Sequence, residues 1–169
     1  MDYLQEQDEI MCRKIHGRKP SLFYNIGFIT FNNTNNPKCN TMTPRYARGK
    51  NIFDMRYTFI PIHHGLHCMC AVIYMEQMKI KYYDSLLYDN VTRRGCRHKV
   101  KMQEDTLQVL RNYLQNNHMK DKCIDFPNEW KLYTMCNVSQ QDTTNTTDCG
   151  VFVCMYCNFI LNDCKLDLN

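Results

Sequence analysis

In Asp148-Cys149-Gly150-Val151-Phe152-Val153-Cys154-Met155-Tyr156 a cysteine stands directly before a glycine, and an apolar run follows at once. The run continues through Phe159, Ile160 and Leu161 and is apolar on nearly every face, which predicts a helix buried in the middle of a domain. Such a helix requires other elements to wrap it, so it constrains the chain more than any other stretch. Cys149 then stands at the helix N-terminus. The partial positive charge there, with its free N–H groups, favours a thiolate over a thiol. The thiolate is the nucleophilic form, so a catalytic cysteine belongs at such a position. On this stretch alone a structural cysteine reads equally well, because free Cys is among the most buried residue types.

The remaining composition narrows the class. At 169 residues the chain is about one domain long, and 1–169 is expected to form a single α+β domain with a sizeable core. With 44% hydrophobic and 22% charged residues it reads as globular, not disordered. The net charge of +4 is spread along the chain, so no nucleic-acid partner is expected. Eleven cysteines would suggest a disulfide framework in a secreted protein. The opening Met1-Asp2-Tyr3-Leu4-Gln5-Glu6 is polar, and no apolar run is long enough to span a bilayer. The expectation is therefore a monomer in the nucleus or cytoplasm, with free thiols and no membrane association.

Taken in order, residues 1–15 place Tyr3, Leu4, Ile10, Met11 and Ile15 near helical period, and Gly17 to Pro20 closes that helix. Leu22 to Phe31 is apolar and fits helix or strand. Asn32 to Asn40 is Asn-rich with Pro37 and reads as a loop. Arg45, Arg48 and Lys50 form a small basic cluster on a solvated loop. Tyr57 to His63 reads as a strand whose Pro61 belongs at an edge or bulge. Cys68 to Tyr74 is a continuous apolar run of strand length, hence a buried strand. Lys79 to Asp84 alternates, and the short Glu76-Gln77-Met78 link predicts an antiparallel hairpin. Arg93 to Lys101 is basic and reads as a solvated connection. Leu107, Leu110, Tyr113 and Leu114 mark an amphipathic helix, and Trp130 to Met135 a further strand. Asp142 to Thr147 is a polar loop leading to Cys149.

A cysteine hydrolase needs a base for the thiol proton and a group that orients the base. His67 stands just before the buried strand, and Asp84 ends the next one. If the two strands pair, both reach one end of the sheet, where the carboxylate can fix the imidazole's tautomer. Gln140 and Gln141, just upstream of Cys149, offer an amide N–H for an oxyanion. Each signal is weak alone, since a lone His before a strand is more often structural.

Together the segments resemble a known family. Phe59-Ile60-Pro61-Ile62-His63-His64-Gly65-Leu66-His67, followed by Ala71-Val72-Ile73, is similar to the catalytic-His segment of the Ulp/SENP family of SUMO-specific cysteine proteases. Ile80-Lys81-Tyr82-Tyr83-Asp84-Ser85 resembles the segment that carries that family's Asp. Gln140-Gln141, Asn145 and Asp148-Cys149-Gly150-Val151-Phe152 resemble its glutamine–cysteine block, and Asn128-Glu129-Trp130-Lys131-Leu132 the strand before it. The resemblance runs from about Tyr3 to Leu166. It implies a papain-like α+β fold, with a small, mostly antiparallel sheet and the nucleophile at the start of a buried helix. The implied activity is cleavage after the C-terminal Gly-Gly of SUMO or a related ubiquitin-like modifier, without a cofactor. The implied roles are Cys149 as nucleophile, His67 as base, Asp84 as orienting carboxylate and Gln141 as oxyanion donor. Cys68 and Gly150 are implied in substrate binding.

The sequence also departs from that pattern. The residue after the catalytic His is usually a Trp that roofs the tunnel for the Gly-Gly tail, and here it is Cys68. A second tunnel Trp belongs to an opening "W-L-N-D" segment that this chain lacks, and the family continues past the Cys helix, so the chain reads as shortened at both ends. The loop after Gln141 is about two residues longer than the family's, which leaves Gln140 and Gln141 as alternative donors. The competing expectation is an impaired paralogue that binds a ubiquitin-like modifier without turnover. A metal site is a third class. Cys154-Met155-Tyr156-Cys157 is a C-x-x-C, but it lies inside an apolar helix without the second pair that structural zinc uses, so no metal is expected.

Overall fold

The computed structural model describes residues 2–31, 37–39, 50–86, 93–122, 129–135, 138–142, 144, 147–164 and 166. Helix α1 (Asp2–Lys14) is followed by short strands β1 (Leu22–Phe23), β2 (Ile29–Phe31) and β3 (Pro37–Cys39). Then come β4 (Tyr57–His64), β5 (His67–Tyr74), β6 (Lys79–Tyr83), helix α2 (Arg93–Lys122), β7 (Lys131–Met135) and helix α3 (Cys149–Leu161). One sheet has the order β1-β4-β5-β6-β7, and β2 pairs with β3 in a separate ribbon. The long β4–β5 ladder and the β5–β6 ladder are antiparallel, whereas β1–β4 and β6–β7 are parallel. The fold is thus α+β with a mixed sheet, antiparallel at its centre.

The sheet is covered on both faces, which explains the uninterrupted apolar run of β5. Successive side chains of a strand point to opposite faces. Met69, Ala71 and Ile73 join Ile60, Ile62, Ile80 and Tyr82 in a core closed by Met102, Leu107, Leu110 and Leu114 of α2. Cys70, Val72 and Tyr74 join Phe59, Tyr83 and Leu4 against Val153, Tyr156, Cys157, Ile160 and Leu161 of α3. Both halves of the alternation are therefore buried, as in any strand roofed on two sides. Each large aliphatic side chain so buried contributes about 1.5–3 kcal/mol.

Helix α1 is fastened to α3 by polar groups as well as by Leu4. Buried Asp8 accepts the Ser21 main-chain N–H at 2.5 Å and lies 3.7 Å from the Arg18 guanidinium. That guanidinium donates to the Leu161 carbonyl at 2.6 Å, at the C-terminal end of α3.

Four readings of the sequence change. Arg93 to Lys101 is not a connection but the opening of α2, because a charged stretch carries no apolar period that would mark it as helical. Pro37 to Cys39, read as loop, is β3, with Pro37 at the first position, where its missing N–H costs least. Strand β4 is an inner strand. However, β1 pairs only with Thr58 and Phe59, so among the described residues Pro61 has no strand partner on that side, the local equivalent of an edge. Helix α3 is not buried all round: Val151, Cys154 and Asn158 form an exposed stripe, with Val151 67% exposed. Of the basic cluster, Lys50 lies 4.0 Å from Glu9, while Arg45 and Arg48 lie outside the described residues.

The core also holds ionisable groups in their neutral forms. Burial pushes the Cys39 thiol up to about 12 from 9.0. Burial, then a hydrogen bond to Asp163, pushes the Tyr57 phenol up to about 12 from 10.0. Burial also raises Tyr74, Tyr83 and Tyr156. The unfolded chain releases these protons near the ordinary values, and the folded chain retains them. Their contribution is therefore complete below about pH 9 and is lost as the pH rises toward 12. Urea unfolding followed by circular dichroism should show a lower midpoint at about pH 11 than at about pH 8; equal midpoints would contradict the burial.

Candidate active site

The β5–β6 hairpin brings His67 and Asp84 together. His67 opens β5, Asp84 follows the last residue of β6, and the ladder pairs Cys70 with Tyr83, so both lie at the same end of the sheet. His67 Nε2 is 2.6 Å from Asp84 Oδ1. An ionised carboxylate only accepts, so Nε2 is the protonated nitrogen, and Nδ1 is left as the basic one. Asp84 Oδ1 also accepts the Leu86 main-chain N–H at 2.9 Å, which fixes the carboxylate's plane. Side-chain exposures of 15% for His67 and 6% for Asp84 remove the pair largely from competing water.

The same strand end holds the segment that leads to Cys149. Gln140 Nε2 donates to the Asp84 main-chain oxygen at 3.3 Å and to the Val138 oxygen at 2.8 Å. The Gln141 main-chain N–H donates to the Ser85 carbonyl at 2.9 Å, and Ser85 Oγ donates to Gln141 Oε1 at 2.8 Å. Gln141 is therefore buried with its amide oxygen turned to Ser85. From the other side the Tyr156 hydroxyl of α3 donates to the Ser139 carbonyl. Residues 138–141 are thus tied both to the hairpin and to α3. Asn145, in the same sequence block, lies outside the described residues.

Cys149 is the first residue of α3 and is buried. Asp148, at the N-cap, makes no side-chain capping bond. Cys68, the residue after His67, packs on the same core face as Val153 and Tyr156 of α3. Burial, then the neighbouring Cys149, raises the Cys68 thiol above its usual 9.0. His67 precedes Cys68, so the hairpin carries the His67–Asp84 pair beside the sheet face that α3 covers.

Beside this face lies a cavity of about 210 Å³, walled by Cys68 and Gly150 together with Tyr24, Ile62, Met69 and Val153. Both residues expected to bind substrate are on its wall. A Cβ built on Gly150 meets nothing within 4 Å, so the glycine keeps space open rather than relieving a clash. Cys154 and Cys157 do not act as a pair: Cys154 is exposed, whereas buried Cys157 packs 3.8 Å from Cys70. Among the described residues, no three His, Cys, Asp or Glu side chains group as metal ligands.

The sequence reading missed Ser85, Ser139 and Tyr156 as positioning residues. Ser85 was visible beside Asp84, but its bond to Gln141 spans 56 positions and leaves no local trace. Ser85→Ala removes one buried hydrogen bond to Gln141. It should lower unfolding free energy by about 1–2 kcal/mol in urea titrations, and an unchanged midpoint would contradict the pinning.

The comparisons with known proteins agree with the three motifs. Among curated relatives the chain is 33% identical over 114 residues to a sentrin-specific protease of Caenorhabditis elegans, covering 66% of this chain and 14% of that protein. It is 29% identical over 120 residues to sentrin-specific protease 2 of Pongo abelii, covering 70% of this chain and 18% of that protein. The chain thus spans less than a fifth of the length of these relatives. Its fold matches the Chaetomium thermophilum Ulp1-like SUMO protease catalytic domain with a TM-score of 0.61 at 18% identity, over 98% of this chain and 59% of that one. The family model described as "Ulp1 protease family, C-terminal catalytic domain" matches residues 29–167. That span takes in every strand from β2 onward and both helices that cover the sheet, and the chain belongs to the Ulp1 protease family.

Proposed function

We propose that this chain is a cysteine protease that cleaves after the C-terminal glycine of SUMO or a closely related ubiquitin-like modifier, using Cys149, His67 and Asp84. The observation that carries the reading is the 2.6 Å bond between His67 Nε2 and Asp84 Oδ1, made one residue from Cys68, which packs on the face covered by the helix that Cys149 begins. A structural histidine needs only a partner. One whose bound nitrogen is held by a buried carboxylate, beside a thiol at a helix head, has the parts of a general base.

In this reading His67 Nδ1 takes the proton of Cys149 as Sγ attacks the carbonyl carbon of the modifier's last glycine. Asp84 keeps the Nε2–H tautomer and stabilises the imidazolium. The carbonyl oxygen becomes an oxyanion, and the Gln141 amide N–H, held by Ser85 from its other end, is the donor assigned to it. Collapse expels the amine, which takes its proton from His67, and leaves a thioester on Cys149. His67 then deprotonates a water, and the thioester is hydrolysed to the free carboxylate and the thiol. The modifier's slender tail would lie in the cavity beside Gly150. The relatives' description as sentrin-specific proteases supports the modifier class.

The test is turnover of fluorogenic C-terminal SUMO and ubiquitin reporters. The expected result is preferential SUMO hydrolysis, falling by about 10³-fold or more in Cys149→Ser and His67→Ala. Gln141→Ala should cost about 10²–10³ in kcat with little change in KM. Turnover that survives Cys149→Ser would refute the assignment, and a folded protein inert toward every modifier would be a binder only. Gly150→Ala separates stability from function. It should stabilise the helix by roughly 0.5 kcal/mol, since the methyl meets nothing, yet lower kcat/KM by narrowing the cavity.

A further inference from the structure

We propose that Gln140 is a positioning residue for turnover: its side chain straps the segment that carries Gln141 to the main chain of Asp84, so that the base and the oxyanion donor are set from one residue. This inference rests on the reading of Cys149 as the nucleophile and of Gln141 as the donor to the oxyanion.

The bonds around Gln140 separate the roles of the two glutamines. Gln140 Nε2 donates to the Asp84 main-chain oxygen at 3.3 Å and to the Val138 oxygen at 2.8 Å. A primary amide nitrogen carries two hydrogens, so both are engaged. Both partners are carbonyl oxygens, which only accept, so it is the nitrogen of this amide and not its oxygen that faces them. Gln140 then has no N–H left for an oxyanion, and of the two glutamines that role falls to Gln141. The bond to Val138 folds the side chain back over its own turn, while the bond to Asp84 spans 56 positions to the end of β6.

The strap lies between two other anchors. On one side the Gln141 main-chain N–H donates to the Ser85 carbonyl at 2.9 Å, and Ser85 Oγ donates to Gln141 Oε1 at 2.8 Å. On the other the Tyr156 hydroxyl donates to the Ser139 carbonyl. Residues 139, 140 and 141 are thus held in turn by α3, by Asp84 and by Ser85. Asp84 serves twice: its side chain takes His67 Nε2 at 2.6 Å, and its main-chain oxygen takes Gln140. A slip of this segment along the hairpin would move the donor relative to the base, and a misplacement of about 1 Å costs on the order of 10²-fold in rate. The strap removes that freedom before substrate arrives, which is the preorganisation that oxyanion stabilisation requires. Gln140 touches no reacting atom, so its effect runs through Gln141.

The experiment is a double-mutant cycle on turnover of a C-terminal SUMO reporter, with the wild type, Gln140→Met, Gln141→Ala and the combined variant. Gln140→Met keeps the side chain's length and removes both donors. It should lower kcat by about 10–10²-fold with KM nearly unchanged. In the Gln141→Ala background the same substitution should cost less than about threefold, because the strap then has no donor to position. Gln140→Glu turns an acceptor toward both carbonyls and serves as a second variant, with the same pattern expected. Losses that multiply, or a Gln140→Met protein with the kcat of the wild type, would overturn the proposal and leave the reading of Cys149 intact. Hydrogen exchange needs no turnover: the Gln141 amide should exchange at least about tenfold faster in Gln140→Met than in the wild type. Unchanged exchange would overturn the strap even in a chain without protease activity.

Discussion

Asp84 is a carboxylate removed from water at the end of a strand, and a buried charge is tolerated only where hydrogen bonds and a countercharge offset its lost hydration. Its Oδ1 takes two donors, His67 Nε2 and the Leu86 N–H. Its main-chain oxygen takes a third, from Gln140. Each bond ties a different part of the site to the same residue. Oδ2 has no hydrogen-bond partner among the described residues, so the carboxylate leans on Oδ1 and its bond to the histidine.

Everything else in the fold serves to hold that strand end still. The β5–β6 hairpin is central in a sheet roofed by α2 on one face and α3 on the other. The residues before the α3 head are pinned, by Ser85 on the hairpin side and Tyr156 on the helix side. The cavity then opens where a strand residue, Cys68, and a helix residue, Gly150, are both small. Exposed apolar residues flank this place: Leu66 at the β4–β5 turn is 95% exposed, and Val151 follows Gly150 on the outer stripe of α3.

Much of this was legible in the residues. Strands β4 to β7 and helix α3 were marked by apolar runs of the right length, and the short link at Glu76 to Met78 implied the hairpin that joins His67 to Asp84. What failed had a physical cause in each case. The basic start of α2 has no apolar period, so its helicity depends on the leucines further along. The exposed stripe of α3 consists of Val151 and Cys154 with Asn158, and composition alone cannot tell an apolar side chain in solvent from one in a core. The bond from Ser85 to Gln141 joins residues far apart in sequence, and neither residue type announces its partner. The resemblance supplied the roles of Cys149, His67 and Asp84; the strand ladder supplied the reason that two of them meet.

The central claim is that Asp84 and His67 make Cys149 the reactive thiol among many. The most direct measurement is the site and rate of adduct formation with SUMO carrying a C-terminal electrophile, read by intact mass and peptide mapping on the wild type, His67→Ala and Asp84→Ala. The account predicts a single adduct on Cys149, formed at least about tenfold more slowly in both variants while their circular dichroism stays that of the folded chain. An adduct on Cys68 or Cys154, or a Cys149 adduct whose rate ignores both substitutions, would contradict it.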